Sequence, residues 1–367
     1  LEDFPVEFAT LRHKNGWDYS TPLAITQEMS MKNKLVFVWV AVVCVVGLAA
    51  PAVAQDAPKQ RPPVIDMHLH ALPAPMGWPG GPSFLCPGQD FAAFDPRTKW
   101  DPNHLWDTCP NPLYPVTSDE ELLRQILAIM DRYNIVLAAT SGPLEHVRRY
   151  REAAPKRILP GLSSSIANLG PPDSLRELVR KGEIAILGEI GSAIEGISPE
   201  DERLEPYFAL AEELDVPVAF HVLSLQNIYL APQNRAALND PLLLEKMLNR
   251  HPKLRIYVMH AGWPRLNEMI ALLALYPQVY AEVAGINWLL PRKEFHRYLR
   301  GLVEAGYGKR IMFGSDAAMW PQVIGIGIEA IESADFLTEA QKRDILYNNA
   351  ARFLRLGEKG QPQDRPR

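Results

Sequence analysis

Val64-Ile65-Asp66-Met67-His68-Leu69-His70 decides the fold, because this short apolar run closes on two histidines two positions apart. On a strand, residues i and i+2 project to the same side, so both imidazoles can reach one ion. Runs of the same kind recur along the chain. With Val64–His68 as the first, they are Ile135–Thr140, Ile158–Leu162, Ala185–Ile190, Pro217–Val222, Arg255–His260, Val279–Ala284 and Arg310–Gly314. Their length and apolar content suit buried parallel strands. Helical patterns lie between them. Ser118–Tyr133 opens on a cap-like serine and sets Leu122, Leu123, Ile126, Ile129 and Met130 on one face, and Pro199–Leu214 and Asp240–Arg250 behave alike. Alternation of this kind predicts an α/β chain folded as a (β/α)8 TIM barrel, a single catalytic domain with a long loop after strand one. An open doubly wound sheet would favour a Gly-rich phosphate turn after the first strand, and no GxGxxG follows Val64–His68.

The chain has 367 residues, 47% hydrophobic and 22% charged, an ordinary globular balance. A formal net charge of −5 gives no basic footprint for nucleic acid, so the expected partner is a small-molecule substrate. Residues 1–30 precede a sensible start at Met31 and read as an upstream extension outside the fold. Lys32 and Lys34, the apolar run Leu35–Ala50 and Ala52-Val53-Ala54 read as a signal peptide over 31–54, with a linker at 55–63. The run is too short to span a bilayer, which predicts a periplasmic or secreted protein with no stable membrane contact after cleavage. Cys86 and Cys109 then sit in an oxidising compartment, within one loop-like segment, and are candidates for a disulfide. The barrel is expected over 64–356, interrupted by an insertion at 71–117, and the polar tail 357–367 reads as disordered. The insertion carries Trp78, Phe84, Phe91, Phe94, Trp100 and Trp106, which either wall an apolar substrate cavity or pack the loop on itself.

Carboxyl ends of barrel strands converge on one mouth, and the distinctive residues fall there. They are His68 and His70 on strand one, Glu189 on strand four, His221 on strand five, His260 on strand six and Asp316 after strand eight. Nitrogen and carboxylate donors without thiolate suit zinc, manganese, iron or nickel, and zinc is the default for hydrolysis. Asp316 is the candidate proton shuttle and His260 either a ligand or an acid that polarises substrate. Trp263, Trp288, Trp320 and Arg265, all near strand ends, are candidates for holding substrate. His13, His104, His146, His251 and His296 fall in the leader, the loop or helical stretches and read as ordinary surface or packing residues.

These motifs resemble the amidohydrolase superfamily, and specifically the amidohydrolase-related family that includes aminocarboxymuconate semialdehyde-type decarboxylases. The resemblance rests on Ile65-Asp66-Met67-His68-Leu69-His70, Phe220-His221, Met259-His260-Ala261-Gly262-Trp263-Pro264, Phe313-Gly314-Ser315-Asp316 and the closing stretch Ile345–Leu354. It implies metal ligands at His68, His70, His221 and Asp316, with Asp316 also moving protons. His260 would be a ligand in a binuclear member and act on water or substrate in a mononuclear one. Where binuclear members carry a carboxylated lysine on strand four, this chain has Glu189, so one or two ions remain open.

The leading expectation is hydrolysis of an amide, ester or lactone by metal-bound hydroxide. The alternative is non-oxidative decarboxylation of a small carboxylic acid, which needs a cationic clamp; Arg265 and Arg292 are the candidates. A third expectation is an inactive barrel that binds metal or ligand. A homo-oligomer is a common default for such chains.

Overall fold

The computed structural model describes residues 61–74, 81–164, 169–225 and 229–357. The expected upstream extension 1–30 and signal peptide 31–54, most of the expected linker 55–63 and nearly all of the expected tail 357–367 lie outside the described residues. Eight strands follow one another around a single sheet in chain order: β1 Val64–His70, β2 Ile135–Ser141, β3 Ile158–Ser164, β4 Ile186–Ile190, β5 Val218–His221, β6 Ile256–Met259, β7 Val279–Glu282 and β8 Ile311–Met312. Every neighbouring pair is parallel. The last strand is short, yet the chain beyond it closes the ring onto β1. Met67 N donates to Phe313 O (3.0 Å), Asp316 N to His68 O (2.7 Å) and His70 N to Ala317 O (3.1 Å). The fold is a (β/α)8 TIM barrel, and each expected strand is present.

Helices cover the outside. Asp119–Arg132 begins where Ser118 accepts a hydrogen bond from Glu121 N, and Asp119, Glu120 and Glu121 place negative charge at the positive end of the helix. Leu122, Ile126 and Met130 recur at four-residue spacing and are buried against the sheet. The stretches 199–214 and 240–250 are broken where single helices are expected. Each is a 3-10 turn, Glu202–Leu204 or Pro241–Leu244, followed by an α-helix, Glu205–Glu213 or Glu245–Arg250. Pro206 lies in the first turn of the restarted α-helix and Pro241 opens the 3-10 turn before the other, positions where a missing N–H costs nothing.

The barrel interior is filled by Ile65 and Met67 of β1, Ala139, Ile186, Ala219 and Tyr257, with Phe353 of the final helix at its lower end. On β1 the register slips between Asp66 and Leu69. Ile65 and Met67 therefore fill the barrel while His68 and His70, of opposite parity, reach the mouth; a bulge re-aims side chains in this way. Between β1 and the first helix, the insertion is pinned by isolated bridges Leu85↔Leu113 and Phe91↔Trp106. A Cys86–Cys109 disulfide, with Cα atoms 5.4 Å apart, joins its two arms.

Candidate metal centre

Six side chains meet at the mouth in two groups. His68, His70 and Asp316 form one; Glu189, His221 and His260 form the other. In the first, His68 Nε2 lies 3.1 Å from His70 Nε2, and Asp316 Oδ1 lies 3.0 Å from His70 Nε2 and 3.5 Å from His68 Nε2. Glu189 Oε2 joins this group at 3.5 Å from His68 Nε2 and 3.4 Å from His70 Nε2. Its other oxygen, Oε1, belongs to the second group. There it contacts His221 Nδ1 and lies 3.7 Å from His260 Nε2, which is itself 3.1 Å from His221 Nδ1. One carboxylate thus spans both donor sets.

The donor atoms fit cations. Bonds of roughly 2.0–2.2 Å to one tetrahedral or octahedral ion put neighbouring ligand atoms roughly 3.0–3.5 Å apart, the spacing found in the first group. The tautomers agree. His260 Nδ1 donates to the carbonyl of Ala284 (2.9 Å), and His68 Nδ1 donates to Glu282 Oε2 (3.2 Å). Each ring therefore turns an Nε2 lone pair inward, the arrangement that outer hydrogen bonds impose on metal-binding histidines. His70 Nδ1 lies 3.5 Å from Ser141 Oγ.

The field of the site points the same way. Burial disfavours the imidazolium of His68, but the carboxylates of Asp316, Glu189 and Glu282 overcome it and hold its pKa well above the usual value. Burial likewise favours neutral acids at Glu189 and Asp316. The surrounding histidines outweigh it, holding Glu189 well below and Asp316 below the carboxylate range. At His221 burial prevails and the pKa falls; at His260 the carboxylates of Glu189 and Asp316 prevail over it and the pKa rises. A negative field that retains a proton among clustered imidazoles would also retain a cation.

Two further buried acids support the centre. Glu282, on β7, is fully buried, accepts from Ala284 N and orients His68. Asp66 accepts from His68 N (3.0 Å) and Ser315 N (2.9 Å), tying the β1 slip to the turn that carries Asp316. Burial pushes its carboxyl up to about 6. The only hint in sequence is an acid inside an otherwise apolar strand. Space is tight beneath the ligands. Gly285 has φ +70°, and a Cβ there would lie 2.9 Å from His260 Nδ1 and 3.1 Å from Asp316 Oδ2. His260 and Asp316 also hold left-handed backbone, φ 57° and 53°, a conformation that non-glycine residues keep where the surroundings enforce it.

Above this floor lies a cavity of about 520 Å³. Its floor includes His70, Glu189, His221 and Asp316; Leu85, Phe91, Leu105 and Trp106 of the insertion form one wall; Leu223, Leu225 and Leu230 after β5 form another; and Trp288, Met319 and Trp320 complete it. Trp288 and Trp320 thus reach the cavity, and Trp288 Nε1 also donates to Ser315 O (2.6 Å), bracing the Asp316 turn. Trp263 and Arg265 are not brought to it, which corrects the expectation that they hold substrate. Trp263 Nε1 donates to Glu294 (3.1 Å), and Arg265 binds Asp240 (3.1 Å) and the carbonyl of Ala236 (3.1 Å). The chain leaves β6 through left-handed His260 and Ala261 and carries both side chains outward. Trp78 lies outside the described residues.

A parallel barrel with histidines and carboxylates at its carboxyl mouth defines a class of metal-dependent enzymes. The chain belongs to the amidohydrolase family, which matches residues 65–356. It is 20% identical over 135 residues to Protein fluG of Emericella nidulans, a match covering 33% of this chain and 16% of that protein. Among solved structures it is similar to a protein of Acinetobacter baumannii named "probable 2-pyrone-4,6-dicarboxylic acid hydrolase" (14% identity, TM-score 0.51, covering 79% of this chain and 98% of that one). It also superposes on 2,6-dihydroxybenzoate decarboxylase from Rhizobium (16% identity, TM-score 0.47, 80% and 98% covered).

Proposed function

We propose that this chain is a metal-dependent hydrolase that cleaves an amide, ester or lactone bond of a small molecule, and that Glu189 would serve both donor sets if each held a divalent ion. Zinc is the first choice of ion, because it combines redox inertness with preference for nitrogen and oxygen donors. The observation that carries this reading is the division of the Glu189 carboxylate between two sets of imidazole donors beside Asp316. A metal pair bound there would polarise the substrate carbonyl and lower the pKa of water towards neutrality.

The chain's own residues supply the remaining steps. Asp316 faces both the donor cluster and the cavity, so its carboxylate can accept the proton of attacking water and return it to the departing nitrogen or oxygen. Glu282 and the Ala284 carbonyl fix the rings of His68 and His260, and the buried floor keeps competing water from their lone pairs. The Cys86–Cys109 bond supports a periplasmic or secreted setting. Decarboxylation is the second reading; neither Arg265 nor Arg292 lines the cavity, so a clamp on a substrate carboxylate would have to come from another group there.

The test is turnover of p-nitrophenyl esters, lactones and anilides by the metal-loaded mature protein, with chelator and with Asp316→Asn. Hydrolysis should vanish with chelator and return with metal, and Asp316→Asn should lower kcat by about 10²–10⁴-fold. Release of carbon dioxide from aromatic acids, with no hydrolysis in the panel, would contradict the proposal.

A further inference from the structure

The ionisable side chains that line the cavity are His70, Glu189, His221 and Asp316 of the donor sets, with Glu195 beside them; among the described residues no lysine or arginine lines it. Arg265 is held by Asp240, Arg97 of the insertion by Asp95 and Arg203 after β4 by Asp201, and Arg292 begins the helix Arg292–Leu302 and is not among the lining residues. The rest of the wall is aliphatic or aromatic, including Leu223, Leu225, Leu230, Phe91, Trp106 and Trp288. At about 520 Å³ the space suits a drug-sized molecule.

Such a wall treats two kinds of substrate differently. An apolar body gains by leaving water for leucine and tryptophan side chains. An anionic group on that body, away from the bond to be cut, would give up its hydration against an apolar wall with no lysine or arginine among the lining residues to replace it. Only a carboxylate laid directly on bound metal would escape this cost, and it would then occupy the place of the reacting carbonyl.

We propose that the site selects uncharged esters, lactones or amides with an apolar body and rejects molecules bearing a carboxylate remote from the scissile bond. This rests on the hydrolytic reading above. Selectivity comes from the walls; the charged floor supplies none of it. Leu225, part-buried on the wall, is the natural place to reverse it.

The test compares p-nitrophenyl hexanoate with the mono-p-nitrophenyl ester of adipic acid, which differ by one terminal carboxylate, using the metal-loaded full-length mature protein. The neutral ester should be favoured in kcat/KM by about 100-fold. Leu225→Arg, checked for unchanged metal content and circular dichroism, should narrow that ratio by about tenfold or more through gain on the anionic ester. Equal or better turnover of the anionic ester by the unaltered protein would overturn the selectivity proposal while leaving hydrolysis standing. If neither ester is cleaved, the hydrolytic reading falls. The intact pair is then titrated by calorimetry: tighter binding of the neutral ester upholds the selectivity, and equal or tighter binding of the anionic one overturns it.

Discussion

The floor and the wall of the cavity are built by opposite means. The floor consists of ionisable side chains delivered by strand ends and fixed by hydrogen bonds donated to buried partners such as Glu282 and Asp66. The wall facing it consists of apolar side chains on an insertion with little regular structure, held by two isolated bridges and a disulfide. Chemistry that tolerates little displacement is placed on the rigid part, and selection of the substrate on the part that can vary without disturbing the barrel. Damage to the floor should therefore appear in kcat and metal content. Damage to the wall should appear in KM.

The sharpest break is at the shared carboxylate. Glu189→Gln keeps the shape but replaces one carboxylate oxygen with an amide nitrogen that donates and cannot ligate a cation, and kcat should fall by about 10²–10³-fold with KM changing far less. Next is Glu282→Gln, which never touches substrate but loosens the ring of His68; metal affinity should fall by about 10–100-fold in a chelator competition. If affinity is unchanged, Glu282 serves packing only. On the wall, Cys86→Ser with Cys109→Ser frees the arms of the insertion. KM for the neutral ester should rise about three- to tenfold at nearly constant kcat, since a wall contact acts mainly through binding. A larger loss in kcat than in KM would mean that the insertion orders the floor as well. Arg265→Ala should change kcat/KM by less than about twofold, because its part-exposed pair with Asp240 lies outside the cavity and such pairs contribute little.

The same contrast explains what could be read from the sequence. The strands and their mouth residues were legible because apolar runs recur at barrel spacing, and those of β1, β4, β5, β6 and β8 lead into a His, Glu or Asp that opens on one site. Even so, simple alternation does not account for β1, where a slip between Asp66 and Leu69 lets Met67 fill the barrel and His68 reach the mouth. Glu282 escaped notice because one acid in Val279–Glu282 is equally compatible with an edge position; only its complete burial beside His68 gives it a role. Trp263 and Arg265 misled for a different reason. Nearness to a strand end in sequence says nothing about direction once the chain turns through left-handed backbone at His260 and Ala261. The insertion was recognisable as long and aromatic, but which of its aromatic residues face the cavity depends on pairings such as Phe91↔Trp106 that no periodicity announces.

Elemental analysis of the purified protein, supplied with zinc and separately with manganese, tests the shared role of Glu189 most directly. The account predicts about two ions per chain, since Glu189 offers one oxygen to each donor set. About one ion per chain, unchanged in Glu189→Gln, would contradict it and reduce Glu189 to a hydrogen-bond partner of His221.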